Sequence, residues 1–184
     1  FVRKGGPLVV QAFTILRKKY LWSAELYLAG AKESDIRDAL RERQIRVEEV
    51  DWQKIHLLGD LGSEKLTDYY NLCDVFCMPS YFEAYGLVFA EALTYGLPCI
   101  GRDKFAMSEF IEDGCTGRLI SGEDAEKLAL DLWEVLRDPK YREEVERRRE
   151  WYLREYSWDK VAQRICSVME KNERDKDQYR SAGV

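Results

Sequence analysis

The chain has 184 residues, of which 46% are hydrophobic and 34% are charged, and its formal net charge is −5. This balance is typical of a folded domain with a packed core beneath a charged surface, and it excludes a disordered chain. It also leaves no broad basic surface for nucleic acid, so any anionic ligand has to meet a local group of donors.

In chain order, apolar runs alternate with segments of helical periodicity. The pattern predicts a helix over 7–19, a strand over 25–29, a helix over 34–44, a strand over 55–58, a helix over 63–73, a strand over 74–78, a helix over 86–95, a strand over 98–101, a helix over 108–112, a strand over 118–120, and helices over 124–137, 141–155 and 158–171. The polar residues that follow are expected to form a frayed tail over 172–184.

Short apolar strands separated by helix-length segments indicate an α/β fold, with a parallel sheet covered by helices on both faces. We expect one domain over residues 1–171. Ligands of such sheets bind at the carboxyl ends of the strands. The loops after Ala29, Leu58, Met78 and Gly101 are therefore the places where a site is expected.

The five cysteines (Cys73, Cys77, Cys99, Cys115 and Cys166) are odd in number and have no Cys-x-x-Cys spacing. We therefore expect free thiols rather than disulfides or a metal site, and reduced thiols favour a cytoplasmic location. No apolar run reaches the ~18 residues of a membrane span, and no signal peptide is recognisable. The sequence begins at Phe1, as expected for an excised fragment.

The loop after residues 74–78 reads PSYFEAYG and leads into the helical segment LVFAEALTYG. Glu83 and Glu91 are eight positions apart, or about 12 Å at helical rise, so they cannot share one metal but can bind opposite ends of one ligand. Between them, the amides near Tyr85, Gly86 and Leu87 begin the helix, where unpaired donors and the helix dipole favour a phosphate.

A nucleoside diphosphate sugar has the matching shape, with an anionic middle and hydroxyl groups at both ends. The ordinary alternative is that Glu83 only complements the helix dipole and that Glu91 is a surface residue. The apolar neighbours of Glu91 argue against that alternative, because a buried carboxylate needs partners. Near the start of the chain, Arg3 and Lys4 precede two glycines, and Lys4 is either a phosphate ligand or a solvated charge.

These motifs resemble the retaining glycosyltransferases that include sucrose synthases, bacterial glycogen synthases and bacterial mannosyltransferases. The segment PSYFEAYGLVFAEALTYGLPCIG is similar to the family's Glu–seven residues–Glu region. Lys4-Gly5, LLGDL at 57–61, DGCTGRL at 113–119 and Ser157-Trp158 are similar to further family elements. The similarity runs from Lys4 to Trp158.

The resemblance implies the Rossmann-like, donor-binding C-terminal half of a two-domain GT-B fold, whose N-terminal acceptor domain is absent from this chain. It implies transfer of a hexose from a nucleotide sugar to a polysaccharide, lipid or small molecule with retention of configuration, without a cofactor or bound metal. The isolated chain is expected to bind its donor weakly and to transfer little sugar.

The resemblance also assigns residues to parts of the donor. Glu83 would contact the transferred sugar and, with Lys4, form the catalytic pair. Glu91 would hold the ribose. The remaining donor-binding positions would contact the diphosphate or the base, or shape the loop: Arg3, Gly5, Gly59, Leu61, Ser80, Ala84, Tyr85, Gly86 and Leu87.

One feature departs from the family pattern. The run 104–109 lacks the glycine pair and proline that the family often carries, so its sugar contacts are in doubt. There are two alternatives to a glycosyltransferase. One is an epimerase or phosphorylase on the same fold, although no pyridoxal-phosphate lysine is recognisable. The other is a non-catalytic nucleotide-binding module.

His56 is expected to be structural, and residues 141–150 are expected to be a solvated helix face rather than a membrane surface.

Overall fold

The computed structural model describes the backbone of residues 1–181 and the side chains of residues 1–171. Its elements in chain order are α1 (Gly6–Lys19), β1 (Leu26–Ala29), α2 (Glu33–Glu42), β2 (Ile55–Gly59), α3 (Ser63–Leu72), β3 (Phe76–Cys77), α4 (Leu87–Thr94), β4 (Cys99–Arg102), α5 (Met107–Phe110), β5 (Gly117–Ile120), α6 (Ala125–Arg137), α7 (Lys140–Glu155) and α8 (Trp158–Ser181). Short 3-10 turns cover Val2–Lys4, Val47–Glu49 and Trp52–Lys54.

Every strand pair in the described residues is parallel, which confirms the predicted α/β class. The strands form two sheets, one of β1 and β2 and the other in the order β3–β4–β5. Leu26 pairs with Ile55 in the first sheet, and Cys99 pairs with Gly117 in the second. The parallel arrangement places the loops after the strands at one edge of each sheet, where ligands of this fold class bind.

Helices cover both faces of the second sheet. Because side chains alternate along a strand, neighbouring residues of β4 contact helices on opposite faces. Cys99 lies in a core cluster with residues of α4, α5 and α7, such as Phe89. Ile100 lies in a second cluster with residues of α1 and α6, such as Leu128. A third cluster packs the other flank of α1 against α2 and β2. Helix α1 therefore contributes to the cores of both sheets.

Three predicted boundaries are corrected. The strand expected over 74–78 is confined to Phe76–Cys77, and the helix expected over 108–112 lies at Met107–Phe110. Helix α8 runs to Ser181 rather than ending at residue 171. The segment contains no glycine or proline and is rich in good helix formers. The last predicted tail residues, 182–184, lie outside the described residues.

Candidate functional site

Two helices begin beside each other at the carboxyl edge of the second sheet. Helix α1 starts after Gly5 (φ 77°) and helix α4 starts after Gly86 (φ 82°), and neither has a side-chain cap. A β-carbon on Gly5 would lie only 2.5 Å from the Pro79 carbonyl oxygen, so the start of α1 packs closely against the loop that leads from β3 to α4. The Tyr81 amide also donates to the Arg3 carbonyl oxygen over 2.9 Å. In α1, the Gly6 amide donates to the Phe1 carbonyl oxygen over 3.2 Å, and Pro7 has no amide hydrogen. The helix-start amides at this point are therefore those of α4.

Lys4 and Glu83 meet at this point. The Lys4 ammonium donates to the Glu83 carboxylate, although the two residues are 79 positions apart. The Glu83 side chain is only 11% exposed, whereas that of Lys4 is 36% exposed. A nearly buried carboxylate requires such a partner. The structure thus brings together the two residues that the family resemblance implies as a catalytic pair, a role that remains a prediction.

Gly86 fits closely between Glu83 and the body of α4. A β-carbon at Gly86 would lie 3.0 Å from Glu83 Cγ and 3.1 Å from Phe89 Cδ2. The left-handed backbone at Gly86 further favours glycine. Leu87, the first helical residue, is 55% exposed, so the helix start is open to solvent. Such a start, with no side-chain cap, favours an anion.

Glu91 is exposed, and the prediction that its apolar neighbours bury it is wrong. Phe89, Ala90 and Leu93 face the core instead. Glu91 shares the outer face of α4 with Leu87, one turn and about 6 Å along the axis. The Tyr70 hydroxyl donates to its carboxylate over 3.2 Å. Burial raises the pKa of Tyr70, and the adjacent Glu91 carboxylate raises it further.

The other predicted donor-binding residues fall into two groups. Arg3, Gly5, Ser80, Ala84 and Tyr85 lie in the two segments that meet at the helix starts. Among them, Ser80 is fully buried, and its hydroxyl has no hydrogen-bond partner in the described part of the chain. Arg3 donates to the Phe82 carbonyl oxygen over 3.4 Å.

Gly59 and Leu61 belong to the other sheet. Gly59 ends β2 in a left-handed conformation, and its carbonyl oxygen accepts from the Gly30 amide over 2.7 Å. Both residues therefore lie at a strand end, as predicted, but within residues 1–171 neither takes part in the Lys4–Glu83 contact. Their assignment to the nucleobase remains a prediction.

Sequence reasoning missed Arg102, a buried cation that ties two loops of the site together. Its guanidinium donates to the Pro79 carbonyl oxygen over 3.3–3.4 Å and also to the Gly122 carbonyl oxygen. It stacks on the Tyr81 ring, 4.6 Å from the ring centroid. A charged residue at the end of the apolar run PCIG was the available signal, because a buried arginine needs oxygen partners.

Tyr81 is also part of a polar network beside the site. Its hydroxyl donates to Glu123 over 2.8 Å, and Arg43 donates to both groups over 2.9 Å. The hydrogen bond from Tyr81 lowers the pKa of the Glu123 carboxyl. Leu8, Gln44 and Ile45 line a cavity of about 190 Å³ next to Arg43 and Glu123. This network braces the loop that carries Glu83.

His56 lies outside this region. It contacts the Glu25 carboxylate over 3.0 Å and stacks on Tyr27, with ring centroids 4.5 Å apart.

All five cysteines are free thiols, as predicted. In the described residues, no cluster of three or more His, Cys, Asp or Glu side chains could hold a metal ion. None of the helices in that part is long and apolar enough to cross a membrane.

Fold and site together define a doubly wound α/β domain with an open helix start suited to an anion. The model of the family described as "Glycosyl transferases group 1" matches residues 1–151, and the chain belongs to this family. It is 32% identical over 98 residues to a D-inositol 3-phosphate glycosyltransferase of Kribbella flavida, covering 53% of this chain and 23% of the relative.

Solved structures share the fold. Sucrose-phosphate synthase from Thermosynechococcus elongatus aligns with a TM-score of 0.76 and 24% identity, covering 95% of this chain and 44% of that one. The Anabaena protein HepE in complex with UDP-glucose aligns with a TM-score of 0.73 and 17% identity, covering 93% of this chain and 46% of that one. The chain spans 23–41% of the length of the first curated relatives that it matches.

Proposed function

We propose that this domain binds a nucleotide diphosphate sugar across the start of α4. With the remainder of its polypeptide, it transfers the hexose to a polysaccharide, lipid or small-molecule acceptor with retention of configuration. The observation that carries this proposal is the Lys4–Glu83 pair beside the uncapped start of α4. The proposed location is the cytoplasm, where nucleotide sugars would reach the site.

Each part of the site has a defined role in this proposal. The amides at Tyr85, Gly86 and Leu87 bind the diphosphate, and Lys4 neutralises charge that grows on it as the sugar leaves. Glu83 contacts the transferred sugar from its nearly buried position next to Lys4. The roles are electrostatic and positional, so this part of the site needs no group that changes its redox state.

In this proposal Glu91 binds the ribose. It lies on the same outer face of α4 as Leu87, and its carboxylate is exposed with one hydrogen bond from Tyr70. A ribose hydroxyl can therefore reach the carboxylate without displacing a core side chain. HepE holds UDP-glucose in its crystal structure, which supports a ligand of this class for the similar fold of this chain.

Calorimetric titration of the 184-residue chain with UDP, GDP and ADP tests the donor site. We expect one nucleotide to bind, and Glu91→Ala to weaken binding about 10-fold or more, because a hydrogen bond to a charged group is lost. Glu150→Ala, an exposed carboxylate on α7, is the matched control and should leave binding unchanged. The donor site is refuted if no nucleotide binds, or if the two variants weaken binding equally.

Transfer and its stereochemistry are tested on the complete polypeptide. NMR of the glycosylated product gives the anomeric configuration, and we expect it to match that of the donor. Glu83→Gln keeps the shape of the side chain but removes its charge, and we expect it to reduce transfer at least 100-fold. Inversion of the anomer, or a Glu83→Gln variant as active as the unsubstituted protein, would contradict the proposal.

A further inference from the structure

Two half-exposed phenylalanines stand beside the Lys4–Glu83 pair. Phe82 immediately precedes Glu83 and is 54% exposed, and Phe105 follows β4 and is 49% exposed. Their ring centroids are 5.3 Å apart and their planes meet at 70°. The Phe82 carbonyl oxygen accepts from Arg3, in the turn that carries Lys4. The aromatic pair is therefore continuous with the charged centre of the site.

The backbone at Phe105 has a conformation that suits glycine. Its φ is +56°, in the left-handed region that residues with a β-carbon avoid. Packing does not account for a phenylalanine there, because the core cluster formed by its neighbours Ala106 and Met107 does not include it. The ring instead projects to the surface and contacts Phe82. A costly backbone conformation that presents an exposed ring beside a site points to a role in binding.

We propose that Phe82 and Phe105 form an apolar wall of the sugar subsite and pack against the C–H face of the hexopyranose of the donor. A pyranose has one face of C–H bonds and a rim of hydroxyls, so it fits between an aromatic wall and a polar group. Glu83 supplies the polar group on the next residue of the chain. Binding sites of this kind combine aromatic walls with a few placed polar groups. The inference rests on the proposed donor site.

The wall contacts the sugar and not the nucleotide, and this difference makes it testable. Calorimetric titrations would compare UDP with UDP-glucose, GDP with GDP-mannose, and ADP with ADP-glucose on the 184-residue chain. In Phe105→Gly and Phe82→Ala, we expect affinity for the sugar nucleotide to fall about 3- to 10-fold, with affinity for the bare nucleotide unchanged. Phe105→Gly also relaxes the backbone, so its thermal midpoint should be equal or higher.

Trp22→Ala is the matched control. Trp22 is a more exposed aromatic residue, at 79%, and it follows the other end of α1, about 20 Å from the site. It should change neither affinity. The wall is overturned if the phenylalanine variants lose affinity for nucleotide and sugar nucleotide equally, or if they lose none. If the native chain binds the nucleotide but the phenylalanine variants keep its affinity for the sugar nucleotide, only the aromatic wall is refuted. A native chain that binds no nucleotide refutes the proposed function, and the wall with it.

Discussion

Gly5 offers a direct test of whether the contact between the start of α1 and the loop after β3 holds the site together. Gly5→Ala introduces a methyl group that would lie 2.5 Å from the Pro79 carbonyl oxygen, and it does so at φ +77°. Gly30→Ala is the matched control, since its φ is +75° and no atom lies within 4 Å of the added carbon. The two substitutions therefore share the backbone cost and differ only in the contact.

The backbone cost of placing alanine in the left-handed region is roughly 1–2 kcal/mol. Crowding a packed position adds roughly 1–3 kcal/mol. We therefore expect Gly30→Ala to lower the free energy of unfolding by roughly 1–2 kcal/mol and Gly5→Ala by roughly 2–5 kcal/mol. Because the methyl group also pushes Lys4 away from Glu83, Gly5→Ala alone should weaken nucleotide binding.

Urea unfolding followed by circular dichroism measures both losses as shifts of the midpoint at constant slope. Calorimetry on the folded variants measures nucleotide affinity. Equal midpoint shifts for Gly5→Ala and Gly30→Ala would show that the Pro79 contact is loose. The claim that this contact sets the position of Lys4 would then be refuted.

Asp131→Ala should lower the free energy of unfolding by about 3 kcal/mol, because the 2%-exposed carboxylate is an ion-pair partner of both Arg118 and Lys127. A loss below about 1 kcal/mol in urea unfolding would contradict this. Hydrogen bonds from Lys54 and His56 lower the pKa of the exposed Glu25 carboxyl to about 2, from an ordinary 4.5. Because this pKa is depressed, its stabilising effect is present above pH 4.5 and is lost as the pH falls through about 2. In an NMR titration, Lys54→Met should raise the pKa, and an unchanged value would rule out the lysine contact as its main cause.

Local patterns predicted most of the fold. Alternation of apolar runs and helical periodicity placed every strand and helix in the right order. Gly86 was correctly placed at the start of a helix, because a glycine between a polar loop and an apolar periodic segment marks such a boundary. Boundaries were less accurate where neighbouring chain segments decide them, as at β3, where pairing with β4 extends over only Phe76 and Cys77.

The sequence indicated Lys4, Glu83 and Glu91 as separate candidate residues, but it could not give their arrangement. The spacing of Glu83 and Glu91 indicated a long ligand, but no local pattern could show that Lys4, 79 positions away, contacts Glu83. The exposure of Glu91 depends on which side of α4 faces the core, and in a segment as apolar as LVFAEAL the periodicity is weak. Arg102 was missed because its oxygen partners belong to loops distant in sequence.

Arg102 bonds to carbonyl oxygens of the main chain at Pro79 and Gly122, rather than to side chains. Main-chain carbonyls persist whatever residue occupies a position, so these hydrogen bonds do not depend on the side chains at 79 and 122, whereas the stacking on Tyr81 does. Exposed side chains of those loops can therefore change while the two loops keep their mutual placement. Diversifying the exposed positions 82, 84 and 85 while retaining Arg102 and the buried Ser80 and Glu83 should give folded libraries.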